Sequence, residues 1–312
     1  MNKKLYKIIK AALLLFVCGM LFTQCKKDPV PVPLDFIDVK LAADPELSLL
    51  KAAIAQAKLE TFTKGPGPFT IFAPTNAALN AVGVTATTLP TIDSLTLTSF
   101  LLNHFQNLKR TGFEIPDGPN APMASMAGFS NYASKNKALS KTYVNGATVI
   151  AADIACGNGL IHKIDKALIQ PSANLGMLLA NNPNYSLMVQ AIAKAGLTAT
   201  FTSATVNTLF ALDNATMTAN GYDAVTIPAL TAAQVLTLTN ILKYHIIPGR
   251  NFTVAMKSGL LKTNLATNVT VAVGGAAITV KGISNPSAFN ITSSDYLASN
   301  GVLHEISGML KP

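Results

Sequence analysis

"NGLIHKID", residues 158–165, returns as "NGVLHEIS", residues 300–307. In the first copy the phrase sets His162 among Leu160, Ile161 and Ile164. A histidine in such company can serve as a base or a ligand. It can also bury a ring face and hydrogen-bond a backbone carbonyl, worth about 1 kcal/mol net. The recurrence separates these readings. His162 recurs as His304, whereas Asp165, the acid three residues on, recurs as Ser307. Residues three apart in a strand also face opposite sides. The copies share the turn, the aliphatic flanks and the ring. The phrase therefore reads as a closing strand, entered through the Asn158–Gly159 or Asn300–Gly301 turn. Its histidine locks the domain.

The repeat extends outward from this phrase. His104 and His245 lie 141 residues apart, and His162 and His304 lie 142 apart, which accounts for all four histidines. "TLTSFLLNH" (96–104) matches "TLTNILKYH" (237–245), and "FTIFAPTNAAL" (69–79) matches "NTLFALDNATM" (207–217). A period near 140 residues is too long for a solenoid and indicates a duplicated domain. The boundary falls near "QPSAN" (170–174), giving domains over 36–171 and 172–312.

Each copy has the same plan. It opens on an amphipathic helix: Asp44 caps and Pro45 takes the first position in copy one, and Asn182–Pro183 repeat this in copy two. A short apolar strand follows, "FTIFA" or "NTLFA", and then a helix capped by Thr75 or Asn76 in copy one. The helix carrying the first histidine starts in copy two with a capping box, Thr231 and Gln234. The second half reads as antiparallel strands, with hairpins at Asn145–Gly146 and Gly274–Gly275. Helices first and strands after give an α+β fold. Residues 112–137 show little periodicity and read as a long surface loop.

These boxes resemble the fasciclin family of adhesion domains, in tandem. "TIFAPTNAAL" (70–79) is similar to its first signature box, "ILKYHIIPGR" (241–250) to its Tyr–His box, and the closing phrases to its last. The resemblance covers about 36–312 and implies two domains, each a β-sandwich-like wedge with N-terminal helices, acting in cell adhesion or matrix binding. It also implies residue roles. Phe72, Thr75, Asn76, His162, Asn214 and His304 belong to the structural motifs, and Tyr244 with His245 form a candidate partner contact. Asn103 and His104 stand at the same place in copy one, which lacks the Tyr. Copy two has Leu212–Asp213 where copy one has Pro74–Thr75.

Residues 1–24 form a separate unit: Lys3, Lys4, Lys7 and Lys10, then the apolar run "AALLLFVCGMLF" (11–22). Twelve apolar residues fall short of the ~20 that span a membrane and suit an export signal. Cys25 directly after the run resembles the acylated first residue of a bacterial lipoprotein, although Gln24 is larger than the small residue usual there. Residues 25–35, with Pro29, Pro31 and Pro33, read as an extended tether. The net charge is +9; without the four Lys of the signal it is +5, 20 basic against 15 acidic residues, thinly spread. No basic stripe supports nucleic-acid binding. Cys156 is the one cysteine of the body and reads as a small apolar filler, so no intrachain disulfide staples it.

No HxH, HxxxH, CxxC, HExxH or GxSxG pattern is present, and no Gly-rich phosphate loop. The sequence thus points to a protein without metal, cofactor or catalytic site. It reads as an exported lipoprotein of the cell envelope or cell surface, held to a membrane by lipid and binding an extracellular protein or glycan. The alternative is an envelope or secreted hydrolase of polysaccharides or esters that uses one of the histidines.

Overall fold

The computed structural model describes residues 34–117, 119–136, 140–275 and 277–312. The signal, Cys25 and nearly all of the tether lie outside the described residues. Helix α1 (Ile37–Ala43) buries Ile37 and Leu41 and precedes the helix that the sequence marks as first. Asp44 then accepts from the Glu46 N–H at 3.0 Å, with Pro45 starting a single 3₁₀ turn that feeds α2 (Ser48–Gln56). Short α3 (Glu60–Lys64), α4 (Asn76–Ala81) and α5 (Ser94–Leu102) complete the helical layer. Thr75 caps α4, its hydroxyl accepting from Ala78 N–H at 3.2 Å.

The strands are β1 (Phe69–Pro74), β2 (Phe105–Gln106), β3 (Ala121–Ala124), β4 (Ser130–Asn136), β5 (Lys141–Val144), β6 (Ala147–Cys156) and β7 (Gly159–Ile164). They form one sheet in the order β2-β1-β7-β6-β5-β4-β3. The wholly antiparallel arrangement expected from sequence is corrected here. β7 pairs in parallel with β1, from Phe69↔Gly159 to Pro74↔Ile164. Parallel neighbours need a long connection, and α4, α5 and strands β2 to β6 lie between these two strands. Both are buried along almost their full length, as befits central strands. The presumed loop 112–137 is corrected too: it supplies β3 and β4.

β6 is long and irregular. Its register against β7 shifts between Val149 and Ala151 and again between Ala151 and Ile154, with Asp153 at φ +57°. Such bulges bend a strand, and the sheet closes into a wedge. Alternate residues of β1 serve its two sides. Phe69, Ile71 and Ala73 pack with Leu50, Leu79 and Leu101 of the helices. Phe72 packs with Met123, Ala133, Val144 and Ile164 inside the wedge.

Copy two repeats this plan with α6 (Leu175–Ala180), α7 (Ser186–Lys194), α8 (Thr198–Thr202), α9 (Asn214–Ala219), α10 (Thr226–Ala229) and α11 (Ala232–Tyr244). Its strands are β8 (Asn207–Ala211), β9 (Ile246–Pro248), β10 (Gly259–Lys262), β11 (Asn268–Gly274), β12 (Ala277–Lys281), β13 (Phe289–Ala298) and β14 (Gly301–Ile306), ordered β9-β8-β14-β13-β12-β11-β10. Asn182 accepts from Asn184 N–H as Asp44 does from Glu46, and the Thr231–Gln234 capping box forms. Asn145 and Gly146 both have positive φ, the backbone of a tight hairpin turn. The second hairpin turns one residue later than expected. Gly274 still pairs with Ala277, and Gly275 takes φ +59°.

Gln170 bonds Ser99 of copy one, while the Ala173 carbonyl accepts from Ser299 N–H of copy two. The copies also touch elsewhere: the Arg250 guanidinium lies 4.0 Å over the Tyr132 ring, and Asn120 Nδ2 donates to the Arg250 carbonyl.

Candidate functional site

The closing histidines sit in matched cages. His162 lies on central β7 at 0% exposure, its ring stacked on Phe72 of β1. Its Nε2 lies 2.8 Å from the Arg110 carbonyl, and its Nδ1 accepts from Asp153 N–H at 3.2 Å. His304 does the same in copy two: Nε2 to the Asn251 carbonyl at 2.8 Å, Nδ1 from Asp295 N–H at 3.1 Å. A ring flanked by a carbonyl and an N–H must be neutral, with its proton on Nε2.

An acid accompanies each ring after all. Asp153 and Asp295 lie nine residues before their histidines, at the bulges of β6 and β13. Asp295 Oδ1 stands 3.9 Å from His304 Nδ1 and accepts from Thr253 N–H at 2.8 Å. Asp153 Oδ1 accepts from Gly112 N–H at 2.7 Å. Each carboxylate ties the bulge to the loop whose carbonyl the histidine holds. Neither points its oxygen at a histidine N–H, because Nδ1 is the acceptor. The acid suggested by sequence has another task. Asp165 accepts from Thr148 N–H, and Ser307 from Asn290 N–H, so the exchanged residues perform one function.

Two threonines complete the cage. Thr70 donates to the Leu108 carbonyl and accepts from Arg110 N–H; Thr208 does likewise with the Gly249 carbonyl and Asn251 N–H.

The other histidine pair lies on the far side of β1 and β8 from the closing pair: Phe72 N–H donates to the His104 carbonyl and Phe210 N–H to the His245 carbonyl. His104 follows the end of α5, its Nδ1 lying 3.0 Å from the Phe100 carbonyl and its Nε2 accepting from Leu168 N–H at 2.8 Å. His245 ends α11, with Nδ1 2.8 Å from the Ile241 carbonyl and Nε2 accepting from Leu310 N–H at 3.0 Å. These rings carry the proton on Nδ1, the opposite tautomer from the closing pair. Burial drives the pKa of both His104 and His245 down to about 4. Burial also lowers His162 and His304, against the carbonyl bonds and nearby aspartates that favour the charged form.

A partner contact through Tyr244, His245, Asn103 and His104 is corrected by their burial: none is more than 1% exposed. The Tyr244 hydroxyl donates to the Asn268 carbonyl at 2.5 Å and accepts from Ile283 N–H at 3.0 Å. Asn103 Nδ2 donates to the Leu168 carbonyl instead. A family box that reads as a contact surface is thus internal bracing.

The first box also braces the fold. Phe72 is fully buried. Asn76 accepts from Leu49 N–H and donates to the Pro45 carbonyl, and Asn214 repeats both bonds with Leu187 and Pro183. Asp213 caps α9 where Thr75 caps α4, so the changed box keeps its cap.

The asparagines of the closing turns do more than turn. Asn158 Oδ1 accepts from Ile37 N–H, and its Nδ2 donates to the Thr63 and Gly65 carbonyls. Asn300 makes the same three bonds with Leu175, Phe201 and Ser203. Among the described residues no three His, Cys, Asp or Glu side chains gather as a metal ion would require, and no helix is long and apolar enough to cross a membrane. Cys156 is buried and free, and burial raises its pKa to about 11.

Comparison with known proteins follows the duplication. A model of the Fasciclin domain matches residues 45–170 and again 183–312. Transforming growth factor-beta-induced protein ig-h3 of Sus scrofa is 30% identical over 265 residues, 82% of this chain and 36% of that protein. The chain therefore spans about a third of the length of this relative. Protein sll1483 of Synechocystis sp. is 38% identical over 137 residues, 43% of this chain and 73% of that protein. Among solved structures, a FAS1 domain pair from the insect cell adhesion molecule fasciclin I aligns over 88% of this chain and 96% of its own, at TM-score 0.42 and 17% identity.

Proposed function

This chain belongs to the fasciclin domain family, and from that premise we propose that it is an exported, lipid-anchored adhesion protein. Cys25 carries the lipid, residues 26–35 hold the body off the membrane, and the paired domains bind an extracellular protein or glycan. The carrying observation is that both family boxes with histidine are spent on bracing. Each of the four rings is at 0% exposure with both nitrogens engaged by backbone groups. A general base needs a free lone pair within reach of a substrate proton. The hydrolase reading loses its candidate residues, whereas a binding module needs only a stable scaffold and a surface.

The test is attachment of cells carrying the chain on their surface to protein-coated and polysaccharide-coated plates. Adhesion that saturates, and that Cys25→Ser abolishes by releasing the chain from the membrane, supports the reading. Equal attachment with and without the chain on every coating sinks it. Mass spectrometry of the mature N-terminus reads the lipid on Cys25 separately.

A further inference from the structure

The two copies differ sharply at one place. In copy one Lys163 of β7 reaches the turn after α1, with Nζ 2.5 Å from Asp44 and 2.9 Å from Glu46. At the corresponding positions copy two has Glu305, Asn182 and Asn184. Among the described residues no ion pair spans the gap there. Glu305 turns to the Tyr185 hydroxyl at 2.8 Å and the Thr292 hydroxyl at 3.0 Å. A cavity of about 220 Å³ opens beside them, lined by Leu178, Asn181, Asn182, Tyr185, Tyr296 and Leu303. The matching residues of copy one are Lys40, Ala43, Asp44, Leu47, Ile154 and Ile161. Copy two has replaced two charges and four aliphatic side chains by two amides, two tyrosines and two leucines.

We propose that this cavity is a subsite for one neutral sugar ring of a polysaccharide. The chemistry of the lining sets the class. The cavity walls carry no charged side chain, so a charged ligand finds no counter-ion in the lining, and the nearby Glu305 is already engaged by two hydroxyls. A purely aliphatic ligand would leave the amides unused. A pyranose has an apolar C–H face for Tyr296 and the leucines, and a rim of hydroxyls for the amides.

The amides are available. Asn182 uses its carbonyl oxygen on Asn184 N–H. Among the described residues its NH₂ and the whole Asn181 side-chain amide have no protein partner. Together they offer donors and an acceptor, which is what a hydroxyl needs. Tyr185 is buried with its hydroxyl bonded to Glu305, whereas Tyr296 is 48% exposed and offers a ring face to the cavity. The size agrees: a protein cavity of ~150 Å³ accepts benzene, so this one takes a six-membered ring with its substituents. Aromatic faces add specific contact energy beyond area.

This inference rests on the reading of the chain as an extracellular binding protein, and the test separates the two. The detergent-solubilised full chain is passed over immobilised dextran, galactan and mannan, over alginate as an acidic polymer, and over a protein-coated matrix. Retention is expected on at least one neutral polymer, eluted by its free monosaccharide. Tyr296→Ala and Asn181→Ala should each weaken it at least tenfold with an unchanged melting temperature, and Tyr296→Phe should retain most of it. Retention that both alanine variants leave intact overturns the subsite and leaves the adhesion reading standing. Retention on alginate or protein alone does the same. No retention on any matrix overturns both.

Discussion

Replacing Asn300 by Ala should open the helical end of the second domain alone. Asn300 is 3% exposed and holds three backbone groups: Leu175 N–H at 2.8 Å and the Phe201 and Ser203 carbonyls at 2.9 and 2.7 Å. Each bond is worth ~1 kcal/mol net, and each buried group left without a partner costs ~1–3 kcal/mol. The neighbouring backbone has little room to collapse, because Gly301 already packs against the Asn207 carbonyl. The expected loss is therefore about 3–5 kcal/mol, a large share of the ~5–15 kcal/mol of a typical domain. Urea unfolding of the full chain, followed by circular dichroism, measures it. Asn300→Ala should shift one transition, and Asn158→Ala should produce a comparable shift in the other. A loss below about 1 kcal/mol would show that water replaces the side chain without penalty. A shift of both transitions from one substitution would show that the domains do not each depend on their own clasp.

The remaining predictions concern the same braces. Acid should destabilise the fold through its histidines. The folded rings resist protonation, while unfolded rings take a proton near pH 6.5, so the unfolded chain binds more protons below that pH. Stability contributed above pH 6.5 is then lost down to about pH 4, by about 3 kcal/mol for His104 and as much for His245. Urea midpoints measured from pH 7.5 to 4 should fall steeply below 6.5, and a flat profile would be the contrary result. Gly159→Ala should cost several kcal/mol, because its new Cβ would overlap the Phe69 carbonyl oxygen in the central parallel pair. Thermal melting checks this, and an unchanged melting temperature contradicts it. Asp295→Ala should destabilise copy two by about 1–3 kcal/mol by freeing Thr253 N–H. Asp295→Asn, which keeps an acceptor oxygen, should recover part of that loss.

Local interactions are the ones that the sequence displays. The Asp44, Thr75 and Thr231 caps lie within three residues of their targets, so residue type and spacing reveal them. The closing strand declares itself by its aliphatic run and by its second copy. What stays hidden acts across the fold. Asn158 reads correctly as a turn residue, yet the partners of its side chain lie 121, 95 and 93 residues away. Tyr244 and His245 read as a contact because a motif does not state whether a polar group faces water. Apart from Ile241 on α11, their partners lie on β11, on the loop after β12 and on the segment after β14. The acid nearest each closing histidine in the sequence is downstream, at Asp165 in copy one. The acid beside each ring in the fold lies upstream at Asp153 and Asp295, across a hairpin and inside a bulge that simple strand periodicity cannot anticipate. Their common offset of 142 residues, shared with the histidines, is the signal that could have found them.

All four histidines act as neutral braces, in two tautomers. Long-range proton–nitrogen correlation spectra of the imidazoles in the full chain at pH 7 test this most directly. Four neutral rings are expected, with the proton on Nε2 for His162 and His304 and on Nδ1 for His104 and His245. A charged ring, a pair of rapidly exchanging tautomers, or one shared tautomer for all four would contradict this.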